Sequence, residues 1–350
     1  MKNHFLVLAA IIVASTLFFG PSDASQDSGG GGWLKAKIRE RMLSKLNDQP
    51  EPRVTAKVTD TLSKTGDYTF AIHYAGLRRY YMVHVPSGYN PDKPAPLLFS
   101  LHGGGGDMGY MARDEFYGQI SKSDELGYVV VFPNGYSNFA SGKIATWNAG
   151  NCCGQARDRQ IDDIGFFRIM VKNITGQMNI DSTRIYATGM SNGGMMSHRL
   201  ACDMSDVFKA IASVAGTDGT LDCKPKHPVS ILHIHAKDDD HVLYGGGAGQ
   251  EAFRDMSTVA NFVSVPNTMS RWVKRNKCNP NPKRVKEVKG AHCDLYTGCT
   301  DNVQVKVCVT DSGGHSWPGG SKPGGIKRKS PTSKAISAND EMWAFFNNLK

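Results

Sequence analysis

The stretch that most constrains the fold is Gly-Met-Ser-Asn-Gly at residues 189–193, which lies between a strand pattern and a helix pattern. The preceding run, RIYAT, is short and largely apolar, and the following run, GMMSHRLAC, has helical spacing. A G-x-S-x-G pentapeptide in this setting is typical of a sharp turn that strains the serine backbone and exposes its hydroxyl. Small flanking residues let the strand and the helix approach closely. The pattern predicts that Ser191 is a nucleophile, and a plain tight turn is the alternative.

Strand and helix patterns alternate along the chain from about residue 53 onwards. The apolar runs PLLFSLHG and YVVVFPNG are typical of buried parallel strands, and IDDIGFFRIMVKNITGQM has the spacing of an amphipathic helix. Before them, YTFAIHY and RRYYMVHVP indicate an antiparallel start. The sequence therefore predicts an α/β fold with a mostly parallel central sheet flanked by helices. In such folds the site lies on the loops at the carboxyl ends of the strands.

The last third of the chain gives three further expectations. Residues 251–277 are expected to be largely helical. The runs VKEVKGAHCDLY and NVQVKVCVTD alternate like two paired strands. The final run ANDEMWAFFNNL predicts a helix with Asn339 as a possible cap.

The N-terminus predicts export. Lys2, an apolar run and the small residues SDAS favour a signal peptide over residues 1–24, cleaved after Ala24, with a retained membrane anchor as the alternative. Residues 25–52 then form a linker and an amphipathic helix, and residues 53–350 form one catalytic domain. The eight cysteines suit an oxidising compartment. We therefore expect a secreted protein, extracellular or periplasmic, with no membrane span in its mature form.

The glycine-rich run LHGGGGDM, which follows a predicted strand, supplies a candidate oxyanion site. Hydrolases with a strand–serine–helix turn use two backbone amides, one after the serine and one on such a loop. Here these are the amides of Asn192 and Gly104, with Gly103 as the neighbour of Gly104. Glycine lets the amide reach a substrate oxygen without an intervening side chain. A plain glycine-rich turn is the alternative.

A base and an acid follow the serine in the chain. The run KDDDH follows one predicted strand and provides three aspartates at 238–240, and GGHSWPGG follows another and provides His315. The order serine, aspartate, histidine is that of the α/β-hydrolases. A histidine on the loop after the last strand can both take the serine proton and return it to the leaving alcohol. His315 is therefore the predicted base.

Two other functional classes stay open from the residues alone. His233, His235 and His241, with the three aspartates between them, could ligate a metal, although their spacing does not match a known metal-site pattern. A non-catalytic envelope or carbohydrate-binding protein with the same fold is the second alternative. The net charge of +9 is a statement about solubility, and it does not indicate nucleic-acid binding. The basic run 321–334 is expected to be a surface loop.

Taken together, the motifs resemble those of the secreted polyhydroxybutyrate-depolymerase-like esterases, a group that also includes feruloyl and acetylxylan esterases. The resemblance runs from about residue 68 to the C-terminus, and it is carried by LHGGGGD, TWNAGNCCG, IDDIGFF, RIYATGMSNGGMMSHRLAC, SVAG, LHIHAKDDDHVLYGGG and GGHSWPGG. It implies an α/β-hydrolase fold, no cofactor and no metal. The implied substrate is an ester, either a hydroxyalkanoate oligomer or polymer or a feruloyl or acetyl ester of a polysaccharide.

The resemblance also assigns individual residues. It places the catalytic acid on Asp239, although the chain departs from the family pattern at Ala236, Lys237 and Leu243. It implies that Trp147 and Trp317 line the cleft. It further implies the disulfides Cys202–Cys223, Cys278–Cys299 and Cys293–Cys308, the last if the strands around it pair through a tight turn at Thr300-Asp301, and it leaves the pairing of Cys152 and Cys153 open.

Overall fold

The structure is a computed structural model that describes residues 62, 64–252, 261–321 and 331–349. Within these residues the strands form a single sheet. In chain order the strands are β1 (Gly66–Tyr74), β2 (Leu77–Val85), β3 (Ala95–Leu101), β4 (Val129–Pro133), β5 (Ile180–Met190), β6 (Ala210–Val214), β7 (Ser230–Ala236), β8 (Lys283–Val288), β9 (Ala291–Tyr296) and β10 (Val305–Thr310).

The sheet is parallel in its centre and antiparallel at both edges. The strand order is β1-β2-β4-β3-β5-β6-β7-β10-β9-β8. The strands from β4 to β10 in this order are parallel neighbours, while β1, β2 and β4 pair antiparallel, as do β10, β9 and β8. The predicted fold class, a mostly parallel sheet with an antiparallel start, is confirmed. The predicted pairing of the last two strand runs is the antiparallel β9–β10 pair, and the additional edge strand β8 was not predicted.

Helices cover both faces of the sheet, so the central strands β3, β4, β6 and β7 are mostly apolar and are buried on both faces. In β3, Leu97 and Phe99 point into one core and Leu98 into the other. The helices are α1 (Met108–Met111), α2 (Asp114–Tyr117), α3 (Gln119–Leu126), α4 (Gly154–Asp158), α5 (Asp163–Thr175), α6 (Asn192–Asp203), α7 (Val265–Arg275) and α8 (Ala338–Asn347).

The parallel strands place the motifs of the sequence at one edge. Strands β3, β5, β7 and β10 run in the same direction, and their carboxyl ends precede the glycine-rich loop, Ser191, the aspartate run and His315, respectively. In an open α/β sheet this edge is the usual position of a binding site. Residues that are far apart in the chain are thereby brought together.

Three details differ from the sequence-based expectation. The run VKEVKGAHCDLY forms two strands, β8 and β9, because Gly290 takes a left-handed backbone (φ 87°) and turns the chain. Among the described residues of the expected helix over 251–277, the helical ones are those of α7, which begins after the cap Ser264 and has a proline in its first turn. Residues 253–260 lie outside the described residues.

The C-terminal helix α8 is capped by Ser337 and not by Asn339. The Ser337 hydroxyl accepts the amide of Asp340 at 3.2 Å. Asn339 is buried, and its side chain ties α8 to the α2–α3 segment, because it accepts from Gln119 Nε2 at 2.8 Å and donates to Tyr117 O at 2.8 Å. The sequence pattern locates the helix start correctly but assigns the cap to a residue two positions too far along.

The disulfides agree with the resemblance where it made an assignment. Cys202–Cys223, Cys278–Cys299 and Cys293–Cys308 are bonded, and Cys293 faces Cys308 across the β9–β10 ladder. Cys152 and Cys153, left open by the sequence, are bonded to each other. Cys293–Cys308 joins two strands of the sheet, and Cys202–Cys223 joins α6 to a loop.

The predicted signal peptide (1–24) and the linker with its helix (25–52) lie outside the described residues, as does most of the basic run 321–334. For the part of the chain that is described, no helix has both the length and the apolar character needed to cross a membrane.

The turn from β5 into α6 depends on glycines that have no room for a side chain. A Cβ on Gly193 would lie 2.5 Å from the carbonyl oxygen of His102 and equally close to the backbone of Leu101. A Cβ on Gly189 would lie 2.5 Å from the carbonyl carbon of Gly193. Strand β3, strand β5 and helix α6 therefore meet backbone against backbone.

We expect Gly193→Ala to lower the free energy of unfolding by about 1–3 kcal/mol, because the added methyl group must push rigid backbone aside. Urea unfolding followed by circular dichroism measures the change. Gly88→Ala is the matched control, because Gly88 is an exposed loop glycine and a Cβ added there would have no atom within 4 Å. Equal stability of the two variants would contradict the close approach.

Candidate active site

Ser191 occupies the turn between β5 and α6 in a backbone conformation that L-residues rarely adopt. Its φ is 57° and its ψ is −121°. The conformation is held because the Ser191 amide donates to Val214 O at 2.8 Å and its carbonyl accepts from Met195 N at 2.9 Å. Strained residues of this kind persist only where the surrounding structure over-determines them. The hydroxyl-bearing carbon is thereby turned out of the strand direction and towards the cleft.

His315 and Asp239 form a direct hydrogen-bonded pair. His315 Nδ1 lies 2.8 Å from Asp239 Oδ2 and 3.1 Å from Oδ1. Both side chains are buried, and they come from the loops after β10 and β7. Because the carboxylate can only accept, His315 carries its proton on Nδ1, and the lone pair on Nε2 is the one that can act as a base. Of the three consecutive aspartates, Asp239 is the one that contacts the histidine ring.

The other oxygen of Asp239 is held by backbone amides. His241 N and Val242 N each donate to Oδ1 at 2.9 Å. Burial raises the pKa of Asp239, but the charge of His315 and the hydrogen bonds from His235 and His315 outweigh burial and hold that pKa well below the aspartate range. The stability contributed by the carboxylate is therefore present above the unfolded-state pKa and is lost only as pH falls through the depressed folded value.

The neighbouring aspartates have different partners. Asp238 Oδ1 accepts the amide of Gly314 at 2.8 Å, which anchors the loop that carries His315. Asp240 Oδ1 lies 2.7 Å from His241 Nδ1. The His241 ring in turn stacks on His315, with centroids 4.5 Å apart and an angle of 12° between the planes. Burial, followed by the charge of His315, lowers the pKa of His241, so a neutral ring stacks on the predicted base.

Ser191 and His315 open onto one cleft of about 450 Å³. The glycine-rich loop 103–106 forms one wall. The remaining lining residues are Asp107, Tyr110, Tyr117, Met190, His241 and Glu251. Sequence reasoning did not select the two tyrosines or Glu251, because no motif marks them and they reach the cleft only through the folding of α1, α2 and the loop after β7. The cleft can take a substrate group considerably larger than acetyl.

The glycine-rich loop is held rigidly beside Ser191. His102, fully buried, donates from Nδ1 to Gly103 O at 2.8 Å and accepts the Gly135 amide at Nε2 at 2.9 Å. Burial lowers the pKa of His102 to about 4, so the ring stays neutral in this fixed tautomer. The Gly105 amide is bonded to Ala145 O at 2.8 Å. The Gly106 amide is bonded to Gly103 O at 3.0 Å, so the amides of Gly103 and Gly104 are the candidates for an oxyanion.

Trp147 links the two halves of the predicted oxyanion site instead of lining the cleft. Its indole Nε1 donates to His102 O at 3.0 Å, and its backbone N donates to Asn192 Oδ1 at 2.7 Å. Asn192 Nδ2 returns a bond to Trp147 O at 3.1 Å. The expectation that Trp147 contacts substrate is wrong, because its side chain is fully buried against His102 and Phe167.

Trp317 is also buried, with 4% of its surface exposed. Its indole N–H donates to Asn339 Oδ1 at 3.1 Å, and its ring packs edge-on against Tyr117 at 5.6 Å. The expectation that it lines the cleft is wrong for the same reason as for Trp147: an indole whose N–H has an internal acceptor is stable in the core. Tyr117 stands between Trp317 and the cleft.

The disulfide between Cys152 and Cys153 lies next to this linkage. Asn192 Nδ2 is 3.9 Å from Cys152 Sγ, and the Cys153 amide donates to Trp147 O at 3.0 Å. The motif TWNAGNCCG, which carried part of the resemblance, thus packs against the residue that follows the nucleophile. Its contribution is to hold Asn192, whose first-turn amide has no acceptor within α6.

Within the described residues, the alternative metal site at His233, His235 and His241 is not assembled. His233 Nε2 lies 3.1 Å from His235 Nδ1, and His235 Nε2 lies 2.8 Å from Val242 O, so these nitrogens bond to each other and to backbone and do not converge on one point. Asp239, His241 and His315 do offer ligand atoms within 4.8 Å of one another. However, the two rings are stacked nearly parallel, and lone pairs in parallel planes do not point at a common ion.

Comparison with known proteins finds similarity to a peptidase family and to esterases. Residues 115–224, which include Ser191, match the prolyl oligopeptidase family. Feruloyl esterase B of Piromyces equi is 35% identical over 246 residues, which cover 68% of this chain and 42% of that protein. The bifunctional acetylxylan esterase/xylanase of Neocallimastix patriciarum is 27% identical over 244 residues, 69% of this chain and 31% of that protein. The chain thus spans less than half the length of either relative.

A solved structure shows the same fold. The acetyl xylan esterase from Aspergillus awamori superposes with a TM-score of 0.50 at 14% identity, covering 77% of this chain and 94% of that one. At this identity the likeness concerns the fold alone. The chain therefore has the α/β-hydrolase fold, and its sequence is similar to those of feruloyl and acetylxylan esterases.

Proposed function

We propose that the protein is an exported serine esterase in which Ser191 is the nucleophile, His315 the general base and Asp239 the acid that orients it. The observation that carries the proposal is the Asp239–His315 pair, whose imidazole ring lies on the same cleft as the strained Ser191. Four disulfides among the described cysteines support an oxidising destination.

The mechanism follows from the positions of these groups. His315 Nε2 removes the Ser191 proton as the oxygen attacks the ester carbonyl, and the amides of Asn192 and Gly104 stabilise the oxyanion. The tetrahedral intermediate collapses, His315 returns the proton to the departing alcohol, and an acyl-enzyme remains. Water, deprotonated by His315, then attacks the acyl group and regenerates Ser191. Each donor to the oxyanion typically contributes about 2.7–4 kcal/mol to the transition state.

We propose a feruloyl-type ester of plant polysaccharide as the substrate. A cleft of about 450 Å³ with Tyr110 and Tyr117 in its wall suits an aromatic acyl group better than acetyl. Feruloyl esterase B of Piromyces equi, to which the chain is 35% identical, supports the same class of ester. Acetylated polysaccharide and hydroxybutyrate oligomers are the competing substrates, and a metallohydrolase and a non-catalytic binding protein are the competing classes.

Treatment of the mature protein with a fluorophosphonate is expected to add one phosphonyl group to Ser191, detected by peptide mass spectrometry. Ser191→Ala should remain unmodified and lose esterase activity, while EDTA should leave the wild-type rate unchanged. Ser197→Ala is the matched control, because Ser197 lies on the same helix but is fully buried and bonded to Gly193 O. If Ser191 stays unlabelled in the folded protein, the proposal of a serine esterase is wrong.

The three aspartates give a test of the acid. Asp239→Asn is expected to lower kcat by roughly 10⁴-fold, because an amide at this position favours the wrong tautomer of His315. Asp240→Asn is the control: its carboxylate contacts His241 and not His315, and we expect less than a tenfold change. Steady-state hydrolysis of p-nitrophenyl acetate measures both. A larger loss in Asp240→Asn than in Asp239→Asn would show that the acid is misassigned.

The match to a peptidase family makes a peptidase the second candidate. An esterase should hydrolyse methyl ferulate and leave the matching p-nitroanilides intact, because the weaker leaving group of an anilide demands more transition-state stabilisation. A panel of methyl ferulate, acetylated xylan and hydroxybutyrate oligomers then ranks the esters by kcat/KM. Preference for the anilide over the ester of the same acyl group would favour the peptidase.

A further inference from the structure

Two buried histidines on β7 lie behind the Asp239–His315 pair and are not used by the mechanism above. His233 and His235 are 0% and 1% exposed. Their rings stack with centroids 5.3 Å apart, and His233 Nε2 is 3.1 Å from His235 Nδ1. His235 Nε2 is 3.3 Å from Asp239 Oδ2, the oxygen that also takes the shorter bond from His315. We refer to His233 and His235 as the histidine pair.

The hydrogen positions of the histidine pair are set by its neighbours. His235 Nε2 faces two groups that can only accept, Val242 O at 2.8 Å and Asp239 Oδ2 at 3.3 Å. Nε2 must therefore carry a hydrogen, and a neutral His235 has a lone pair on Nδ1. That lone pair requires His233 Nε2 to be the donor of the bond between the two rings. The His233 hydrogen then points at His235, and the His235 hydrogen points at Val242 O and Asp239 Oδ2.

The opposite arrangement is unfavourable. If His235 carried both protons, His233 would accept from it and would place its own hydrogen on Nδ1. His233 Nδ1 is buried and has no hydrogen-bond partner among the described residues, and a buried N–H without an acceptor is rarer and costlier than an unused lone pair. Burial and the nearby ring of His235 also lower the pKa of His233 well below its ordinary value. His198, stacked on the other side of His233 at 5.7 Å, is equally buried and adds no acceptor there.

We propose that His235 is a positioning residue for the catalytic acid: its Nε2 hydrogen is shared between Val242 O at 2.8 Å and Asp239 Oδ2 at 3.3 Å, and His233 locks the ring in the tautomer that allows this. The proposal rests on the function proposed above. Asp239 then has a donor on each oxygen besides His315, because His241 N and Val242 N hold Oδ1. The carboxylate is fixed in the plane that His315 needs.

Removing the His235 donor has a defined consequence for His315. A carboxylate with one donor fewer is more basic and pairs more strongly with a protonated imidazole, so the acid limb of the pH–rate profile should move to higher pH. The other groups facing His315 are the stacked His241 with Asp240, the loop anchor Asp238, and Asp107 and Glu251 in the cleft wall. They are left unchanged by substitutions at 233 and 235.

The tautomers can be observed without any substrate. Long-range ¹⁵N–¹H correlation spectra of the wild-type protein at pH 7 should show both His233 and His235 as neutral rings protonated on Nε2. Assignment uses the loss of each signal in His233→Gln and His235→Gln. A His235 ring protonated on Nδ1, or a doubly protonated ring, overturns the proposal. This measurement stands even if the protein fails to hydrolyse esters, so it separates the two proposals.

Kinetics test the effect on the site. His235→Leu is expected to lower kcat on methyl ferulate roughly tenfold to hundredfold, the worth of one hydrogen bond to a charged group, with KM little changed. The acid limb of its kcat/KM profile should move to higher pH by roughly half a unit or more. His235→Gln keeps an N–H near the Nε2 position and should stay close to wild type in both measures. His233→Leu should lower kcat and move the acid limb in the same direction as His235→Leu, but by less. His233→Gln should keep kcat close to the wild-type value.

The matched control is His84→Leu, a buried strand histidine paired with Asp67 at 2.7 Å and remote from the cleft. It should lower stability while leaving the acid limb in place. If His235→Leu behaves like His84→Leu, or if leucine and glutamine at 235 lose equal activity with an unmoved acid limb, His235 only packs and the proposal is wrong. If His235→Leu does not fold, the ¹⁵N spectra of the wild type decide.

Discussion

The structure depends on a place where three backbones touch with no side chain between them. Strand β3, strand β5 and the first turn of α6 meet at Gly189 and Gly193, where any Cβ would collide with main-chain atoms. Because the helix starts so close to the strands, Ser191 has no extended or helical conformation open to it and adopts φ 57°. Gly216 closes the turn from the β6 side, where a Cβ would meet Ser191 O and Met195 N. The exposed serine is a consequence of this packing.

The same packing brings the candidate oxyanion donors together. The loop after β3 and the first residue of α6 are joined through Trp147, whose indole N–H holds His102 O and whose backbone pairs with the side chain of Asn192. A rearrangement of either donor would break bonds on both sides of the tryptophan. An oxyanion site must stabilise charge without reorganising, and the contacts of Trp147 hold both candidate donors in fixed positions.

The acid side of the site is organised by electrostatics. Asp239 is buried, yet it remains ionised because hydrogen bonds reach both of its oxygens and His315 lies at 2.8 Å. Asp238 and Asp240 use their carboxylates for the His315 loop and for His241, so three consecutive aspartates serve three separate purposes. A buried carboxylate with so many donors tolerates little change in its surroundings, and the histidine pair on β7 belongs to those surroundings.

Much of this could be predicted from local patterns. The alternation of apolar runs and amphipathic helices indicated the parallel sheet, and the serine pentapeptide located the turn, because both signals are contained within a few residues. The chain order and the resemblance together selected Ser191, Asp239 and His315 as site residues. The fold places all three at one edge of the sheet. The wrong predictions had two causes: a hydrogen-bond partner that is distant in sequence, and a single glycine that turns the chain. Asn339 looked like a cap but binds Gln119, and the hairpin of β8 and β9 looked like one strand.

The sequence by itself determined the class of fold and the chemistry available at the strand ends, because periodicity and the glycines at tight turns are local properties. Only the tertiary structure decided which side chains face the cleft. Trp147 and Trp317 are residue types that often line binding clefts, yet both indole N–H groups donate to internal acceptors and both rings are buried. Tyr110 and Tyr117 line the cleft although no sequence motif marks them. Whether an aromatic ring lies inside or at the wall depends on which hydrogen-bond acceptors the fold brings near it, and no pattern along the chain encodes that.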